Sequence, residues 1–315
     1  MQREEVIKLI RSRLHIVSQE TATINKLKDF FREHSEIYLL YTGYRISPHQ
    51  SLYLLFKSLD PSKNIFSEDL EIFSLYIAPY NEGREPGILI ISPKEDLIKV
   101  SRLISSLILT GHRGVLLSPE VPTELKSFLG GSFQNIIVSE DFFTLTSIYL
   151  LLRAGLYYIS SKQTTPRISR LLREIDELSD VIDDLCNKYS QEIDHIIKIL
   201  SRNSPKIDLV FTPSTRVFSE DLFEYVSKYR RDIDLNIIPH NYTSSLYREN
   251  STVIIVYTEA EQQMILDTRK RYLFEKRPYI EIILRTDPVI TPLYIGLLSR
   301  YLIHQLMNSQ TTKKT

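Results

Sequence analysis

The sequence predicts an α/β protein made of two tandem, doubly wound parallel-sheet units joined by long helices. Three observations predict it. Apolar runs such as IYLLYTG (37–43), GILIIS (87–92) and STVIIVYT (251–258) lack the polar alternation of a half-exposed strand, so each reads as a strand covered on both faces. Amphipathic segments of helical length separate these runs, as in βαβ units. The strand–turn–helix order of the first half then recurs in the second. The expected division is 1–160 for an N-terminal helix plus the first unit, 161–205 for connecting helices, and 206–315 for the second unit.

Taken in order, residues 1–34 read as helical and 37–43 as a strand ending in glycine. SPHQSLYLLFKSL (47–59) is a helix, with Ser47 as the expected N-cap and Pro48 at the first helical position. DLEIFSLYIAP (69–79) reads as a helix giving way to a strand. GILIIS is a strand, and KEDLIKVSRLISSLILTG (94–111) is a helix closed by Gly111. GVLLS (114–118) and NIIVS (135–139) are strands, and 141–160 is a buried helix. Across 166–202, Ile168, Leu171, Ile175, Leu178, Ile182, Leu185 and Tyr189 keep a 3–4 spacing behind Thr165 and Pro166. That spacing predicts one long amphipathic helix or a pair, which either packs one domain on the other or docks a partner as a coiled coil. In the second half, 207–214, 235–239, 251–258 and 279–286 contain strands. Segments 219–231, 261–276 and the stretch after Asp287 are helical.

Composition excludes several classes. Lys+Arg and Asp+Glu are 39 each, so there is no basic excess for nucleic acid. Cys186 is the single cysteine, which allows neither an intramolecular disulfide nor a zinc site built on cysteines. His15, His34, His49, His112, His195 and His304 show no metal spacing, and no cofactor motif is visible. MQREEVIKLIRSRL lacks the apolar core of a signal peptide, so the expected location is the cytoplasm. The most apolar stretch, 142–159, contains Arg153, two threonines and a serine, and reads as a buried helix rather than a membrane span. Only nine glycines are present, few for a chain with phosphate loops.

In a doubly wound sheet, ligands lie beyond the carboxyl ends of the strands, where helix N-termini offer free N–H groups to anions. The corresponding segments here are TGYRIS (42–47), SPKEDL (92–97) and SPEVPT (118–123). They nominate Thr42, Gly43, Arg45, Ser47, Ser92 and Lys94 as ligand-binding residues. Arg45 reaches an anion or is a solvated surface arginine. Lys94 offers a point charge. Glu95 and Asp96 favour the helix start by ~0.3–1 kcal/mol each and repel a phosphate dianion. The 92–97 turn therefore holds a phosphate or is a self-capped helix start.

The order strand–TG–turn–helix, strand–IS–turn–helix, strand–LLS over 37–118 resembles the sugar isomerase (SIS) domain, and the second half resembles another copy. RTDPVITPLYIGLLSRYL (285–302) is similar to the closing Asn-Pro-x-x-Thr-Pro segment of the archaeal-type bifunctional phosphoglucose/phosphomannose isomerases. IIPH (237–240) resembles that family's strand ahead of its catalytic histidine. Nearly the whole chain is covered. The resemblance implies two SIS domains, a homodimer, and a sugar phosphate gripped by a Ser-x-Ser-Gly-x-Thr turn. Ser92 matches that turn, while Lys94 and Glu95 stand in place of its second serine and its glycine.

Moving a proton between C1 and C2 of an open-chain sugar phosphate needs a carboxylate base and a group that assists ring opening. The family uses a glutamate, a histidine and a lysine. Laid on this sequence, its pattern puts Leu298 at the lysine position and Thr243 at the histidine position, with Ser227 or Lys228 near the glutamate position. The isomerase half of glucosamine-6-phosphate synthase carries a Glu and a His sixteen residues apart, a spacing that Glu224 and His240 match. Three readings follow. The first is a sugar-phosphate (carbohydrate derivative) binding protein that is catalytically diverged. The second is an active aldose–ketose isomerase with Glu224 as base and His240 assisting ring opening. The third is a non-enzymatic interaction module using the 166–202 helix.

Overall fold

The structure is a computed structural model that describes residues 3–311 apart from 82–84, 124, 125, 127, 128, 130, 141, 243–247 and 249. The apolar runs form parallel strands, because each carries apolar side chains at consecutive positions that need cover on both faces. Helices α1 (Arg3–Ser18) and α2 (Thr21–Glu33) lead into β1 (Glu36–Tyr41), α3 (Ser47–Leu59), β2 (Asn64–Asp69) and β3 (Gly87–Ile91). Then come α4 (Leu97–Leu109), β4 (Gly114–Ser118), β5 (Phe133–Ile137), α5 (Phe143–Lys162) and α6 (Pro166–Asp176). The five strands pair in parallel in the order β2-β1-β3-β4-β5. On one face Leu40, Ile88, Ile90 and Leu116 join Val100, Ile104 and Leu107 of α4 in a closed cluster. The alternate positions Ile37, Leu39, Leu89 and Ile91 are buried on the other face, the side of α2, α3 and α5. Gly155 lets α5 lie close on α3, since a Cβ there would stand 2.4 Å from Leu55 Cδ2.

The second unit repeats this plan. After α7 (Ile182–Lys188) and α8 (Ser190–Leu200) come β6 (Lys206–Phe211), α9 (Arg216–Tyr229), β7 (Asp234–Pro239) and β8 (Thr252–Thr258). They are followed by α10 (Gln262–Phe274), β9 (Tyr279–Leu284) and α11 (Thr291–Thr311). The order is β7-β6-β8-β9, all parallel. Val210, Ile238, Val253, Ile255 and Tyr257 pack with Ile265 and Tyr272 of α10.

Four local expectations change. Compact units divide the chain as 16–176 on one side and 1–15 with 177–315 on the other. Most of α1 thus belongs to the second unit, and the expected connecting region is shared out between the two. The 166–202 stretch is three helices, and Ile168, Leu171, Ile175, Leu178, Ile182, Leu185 and Tyr189 are all buried. Ser47 is not the cap of α3: Ile46 holds that position, and Ser47 opens the helix ahead of Pro48. Residues 69–79 do not run helix to strand. The strand is β2, which precedes them, and Asp69 Oδ1 accepts from Glu71 N at 2.8 Å to start a short irregular helix through Tyr80. The end of α4 is as expected. Gly111 takes φ +80°, and the amides of Gly111 and His112 donate to the carbonyls of Ile108 and Leu107.

Candidate functional site

In each sheet the direction of winding reverses beside the first strand, between β1 and β3 and between β6 and β8. Open α/β sheets bind ligands beyond the strand ends at this switch point. Both switch points here bring a threonine from one turn against a carboxylate from the other.

In the first unit, Thr42 leaves β1 buried and donates from Oγ1 to Asp96 Oδ2 at 2.7 Å. Gly43 follows at φ +64°, a left-handed turn that glycine adopts without strain. A Cβ on it would stand 3.6 Å from the same Asp96 oxygen. Arg45 is mostly covered and pairs through Nη2 with Glu95 Oε1 at 2.9 Å. Lys94 reaches Glu140 Oε2 at 2.8 Å. That pairing holds the lysine above its ordinary pKa. Ser92 is buried, and its hydroxyl donates to the carbonyl of Pro93 at 3.1 Å. Ser47 is buried in the first turn of α3. The structure thus brings Thr42, Gly43 and Arg45 against the 92–96 turn and gives Thr42, Arg45 and Lys94 a carboxylate each. Of these acids, Glu95 and Glu140 are exposed and Asp96 is half-buried.

In the second unit the acid is Glu261, and it is buried. Its Oε2 accepts from Thr212 Oγ1 at 2.6 Å, Ser214 Oγ at 2.5 Å, Thr258 Oγ1 at 2.8 Å and Thr258 N at 3.3 Å. Its Oε1 accepts from Ser214 N at 3.3 Å. Sequence reasoning missed Thr212, Ser214, Thr258 and Glu261. Half of the cluster carries a local signal: TEAE (258–261) fits the Ser/Thr-x-x-Glu capping box, and both reciprocal bonds are present. The other half, TPST (212–215), is a helix start in its own right, and nothing local pairs it with Glu261, 49 residues away.

The expected catalytic residues sit on different elements. Glu224 lies on α9 and pairs with Lys228 Nζ at 2.6 Å, one turn along the same helix. His240 starts a short turn after β7, where burial lowers its pKa and the Glu261 carboxylate opposes that shift. Leu298, the residue that the resemblance sets against a lysine, is fully buried on α11. Thr243 lies outside the described residues. Among the described residues no cluster of His, Cys, Asp and Glu could hold a metal ion. No described helix is long and apolar enough to cross a membrane.

No protein-family model matches the sequence. No curated protein matches it either. Solved structures do match over almost the whole chain. The tagatose-6-phosphate ketose/aldose isomerase of Escherichia coli aligns over 98% of this chain and 93% of its own, at 8% identity and a TM-score of 0.67. The C-terminal domain of glucosamine-fructose-6-phosphate aminotransferase from Francisella tularensis covers 96% of each chain at 12% identity, with a TM-score of 0.63. A candidate sugar-binding protein from Salmonella typhimurium LT2 covers 96% of this chain and 98% of its own at 9% identity, with a TM-score of 0.73. At such identities the likeness establishes the fold. The chain has the fold that the resemblance implied, two SIS-like parallel-sheet units in tandem.

Proposed function

We propose that this chain binds a sugar phosphate at the switch point of its first unit and does not isomerise it. One observation carries the reading: Thr42, Arg45 and Lys94 converge there on acids that water reaches. Exposed ion pairs are worth about 0–1 kcal/mol, so a phosphate dianion exchanges with Glu95 or Glu140 at small cost. Arg45 is already largely desolvated, and its fork suits a phosphate better than a single carboxylate oxygen. Gly43 leaves the turn backbone accessible beside Asp96. Catalytic divergence is supported by Leu298 at the family's lysine position and by the engagement of Glu224 with Lys228. The fold likeness to structures described as phosphosugar isomerases supports the ligand class. In this reading the chain is a diverged relative of the archaeal-type phosphoglucose/phosphomannose isomerases, a cytoplasmic homodimer that uses no cofactor. Light scattering of the purified chain checks its mass.

The test is thermal unfolding of the full chain with glucose 6-phosphate, mannose 6-phosphate or fructose 6-phosphate. The midpoint should rise with the logarithm of ligand concentration. The rise should vanish in a Thr42→Val, Arg45→Ala chain. A midpoint unmoved by all three sugars would end the reading. One feature favours the isomerase instead: burial lowers the pKa of His240, which favours the neutral form able to take a proton. Conversion of glucose 6-phosphate or mannose 6-phosphate to fructose 6-phosphate that is lost in Glu224→Gln would establish it.

A further inference from the structure

The short irregular helix over 70–80 is apolar on both sides. Leu70, Phe73 and Ala78 point into the first unit's core, in one cluster with Val100, Ile104 and Leu107 of α4. Ile72, Leu75, Tyr76, Pro79 and Tyr80 recur at the spacing of a single helix face, and all five are exposed. Tyr76 is 70% exposed and Tyr80 85%. A helix apolar all round is normally enclosed, and an exposed apolar face of this kind marks a contact with another molecule. The edging of the face is acidic. Residues 66–80 include Glu68, Asp69 and Glu71 and no Lys or Arg. Lys99 of α4 offsets one of these charges, pairing with Glu71 at 2.7 Å.

The second unit carries a surface of the opposite kind. At the end of α10, Leu273 is 54% exposed and Phe274 89%. Arg269, Arg271 and Arg277 are engaged by Glu281, Glu275 and Asp208. Lys270 and Lys276 are exposed on either side of the apolar pair. Asp267 stands 3.9 Å from Lys270, at the limit of an ion pair, and so holds its charge only weakly. A protruding aromatic flanked by ammonium groups and an apolar face edged by carboxylates match in both polarity and charge. We propose that the 72–80 face of one copy of this chain takes the Leu273–Phe274 end of α10 from a second copy. Docking of the face on itself would instead bring Glu68, Asp69 and Glu71 up to their own counterparts, which like charge opposes. The contact joins two different patches, so each copy in a pair keeps one of each and can add another copy, in a ring or a filament. The inference does not rest on sugar-phosphate binding.

Sedimentation velocity of the full chain tests this. The weight-average sedimentation coefficient should rise with protein concentration, and the rise should shrink at high salt, which screens exposed charges. One variant carries Leu75→Asp and Tyr76→Asp, another Leu273→Asp and Phe274→Asp. Each loses one of the two surfaces, so each should abolish the rise. An equimolar mixture of the two should form a larger species containing both, because the intact α10 end of the first meets the intact 72–80 face of the second. A homodimer held by any other surface is common to the parent and both variants, so it cancels from the comparison. Circular dichroism checks that each variant keeps the parent's spectrum, and the serine pair at the same positions replaces an aspartate pair that does not. A parent whose sedimentation coefficient does not rise overturns the proposal. So does a Leu273→Asp, Phe274→Asp chain that associates as the parent does, the result expected if the 72–80 face docks elsewhere. A mixture no larger than its components, or a rise indifferent to salt, overturns it as well.

Discussion

The third residue of the leading strand is Tyr38 in the first unit and Asp208 in the second, and each faces the adjoining edge strand at Phe66 or Asn236. Tyr38 stacks on Phe66 with ring centroids 4.9 Å apart and leans on Phe73 at 4.7 Å. Asp208 is fully buried and accepts from Ser251 Oγ at 2.6 Å, from Asn236 Nδ2 at 3.2 Å, and from the guanidiniums of Arg277 and Arg248. The third residue of the next helix differs in the same spirit: His49 in α3 and Phe218 in α9, both fully buried. One strand order thus accepts an aromatic contact or a charge cluster at a given register position. The backbone sets the position, and the chemistry placed there sets how each unit responds to pH and to substitution.

The largest expected difference is acid sensitivity. His49 Nε2 donates to the Leu40 carbonyl at 2.9 Å, and its Nδ1 has no partner among the described residues. Protonation would bury a charge and an orphan donor, so desolvation lowers its pKa from 6.5 to about 3, against the smaller opposing pull of the Leu40 bond. Between those values the unfolded chain holds a proton that the folded chain does not, so stability rises with pH. The contribution is complete above 6.5 and is lost as pH falls towards about 3. At full extent it is on the order of 5 kcal/mol. The variant His49→Phe, which borrows the second unit's residue, should flatten the stability–pH slope below pH 6.5 by roughly 1.4 kcal/mol per pH unit. Urea titrations across that range check it, and an unchanged slope would remove His49 as the cause.

The second contrast is mechanical. Arg277→Met leaves Asp208 with less compensation inside the sheet, where breaking a buried pair costs about 3–5 kcal/mol. Asn236, Arg248 and Ser251 remain as partners, so about 3 kcal/mol is expected. Tyr38→Leu loses an aromatic pair at the matching register and should cost about 1 kcal/mol. Denaturant midpoints rank the two. The contrast between the units collapses if Tyr38→Leu proves the more costly.

The sequence makes the apolar strands legible, since strands covered on both faces need no alternation to be recognised. NIFSED was not legible, because β2 is an edge strand with Asn64 and Phe66 exposed, and its polarity hides it. The switch-point turns were legible in the first unit, where chain order alone places 42–47 and 92–97 at strand ends. Their partners were not. The bond from Thr42 to Asp96 spans 54 residues and that from Thr212 to Glu261 spans 49, and no local period encodes such pairs. Asp96 and Glu95 read as helix-start acids, a role that local sequence explains completely. Only the packed sheet shows that Asp96 also fills the switch point.

The smallest contrast separates the two switch points themselves. Thr212→Val removes one of five donors to a buried carboxylate, and a hydrogen bond to a charged group contributes about 1.5–3 kcal/mol. The four remaining donors keep Glu261 satisfied, so the cost should lie near the lower bound, about 1.5 kcal/mol. Thr42→Val removes the single hydroxyl bond to Asp96, which is half-buried. Water can replace that donor at Asp96, so the cost should be roughly 0.5–1 kcal/mol. Paired urea titrations of the two variants resolve a difference of this size when each is measured against the same parent. A first-unit threonine that proves as costly as the second would mean Asp96 is held as firmly as Glu261. The first switch point would then be as closed to a ligand as the second, and the proposed binding site would lose its main physical support.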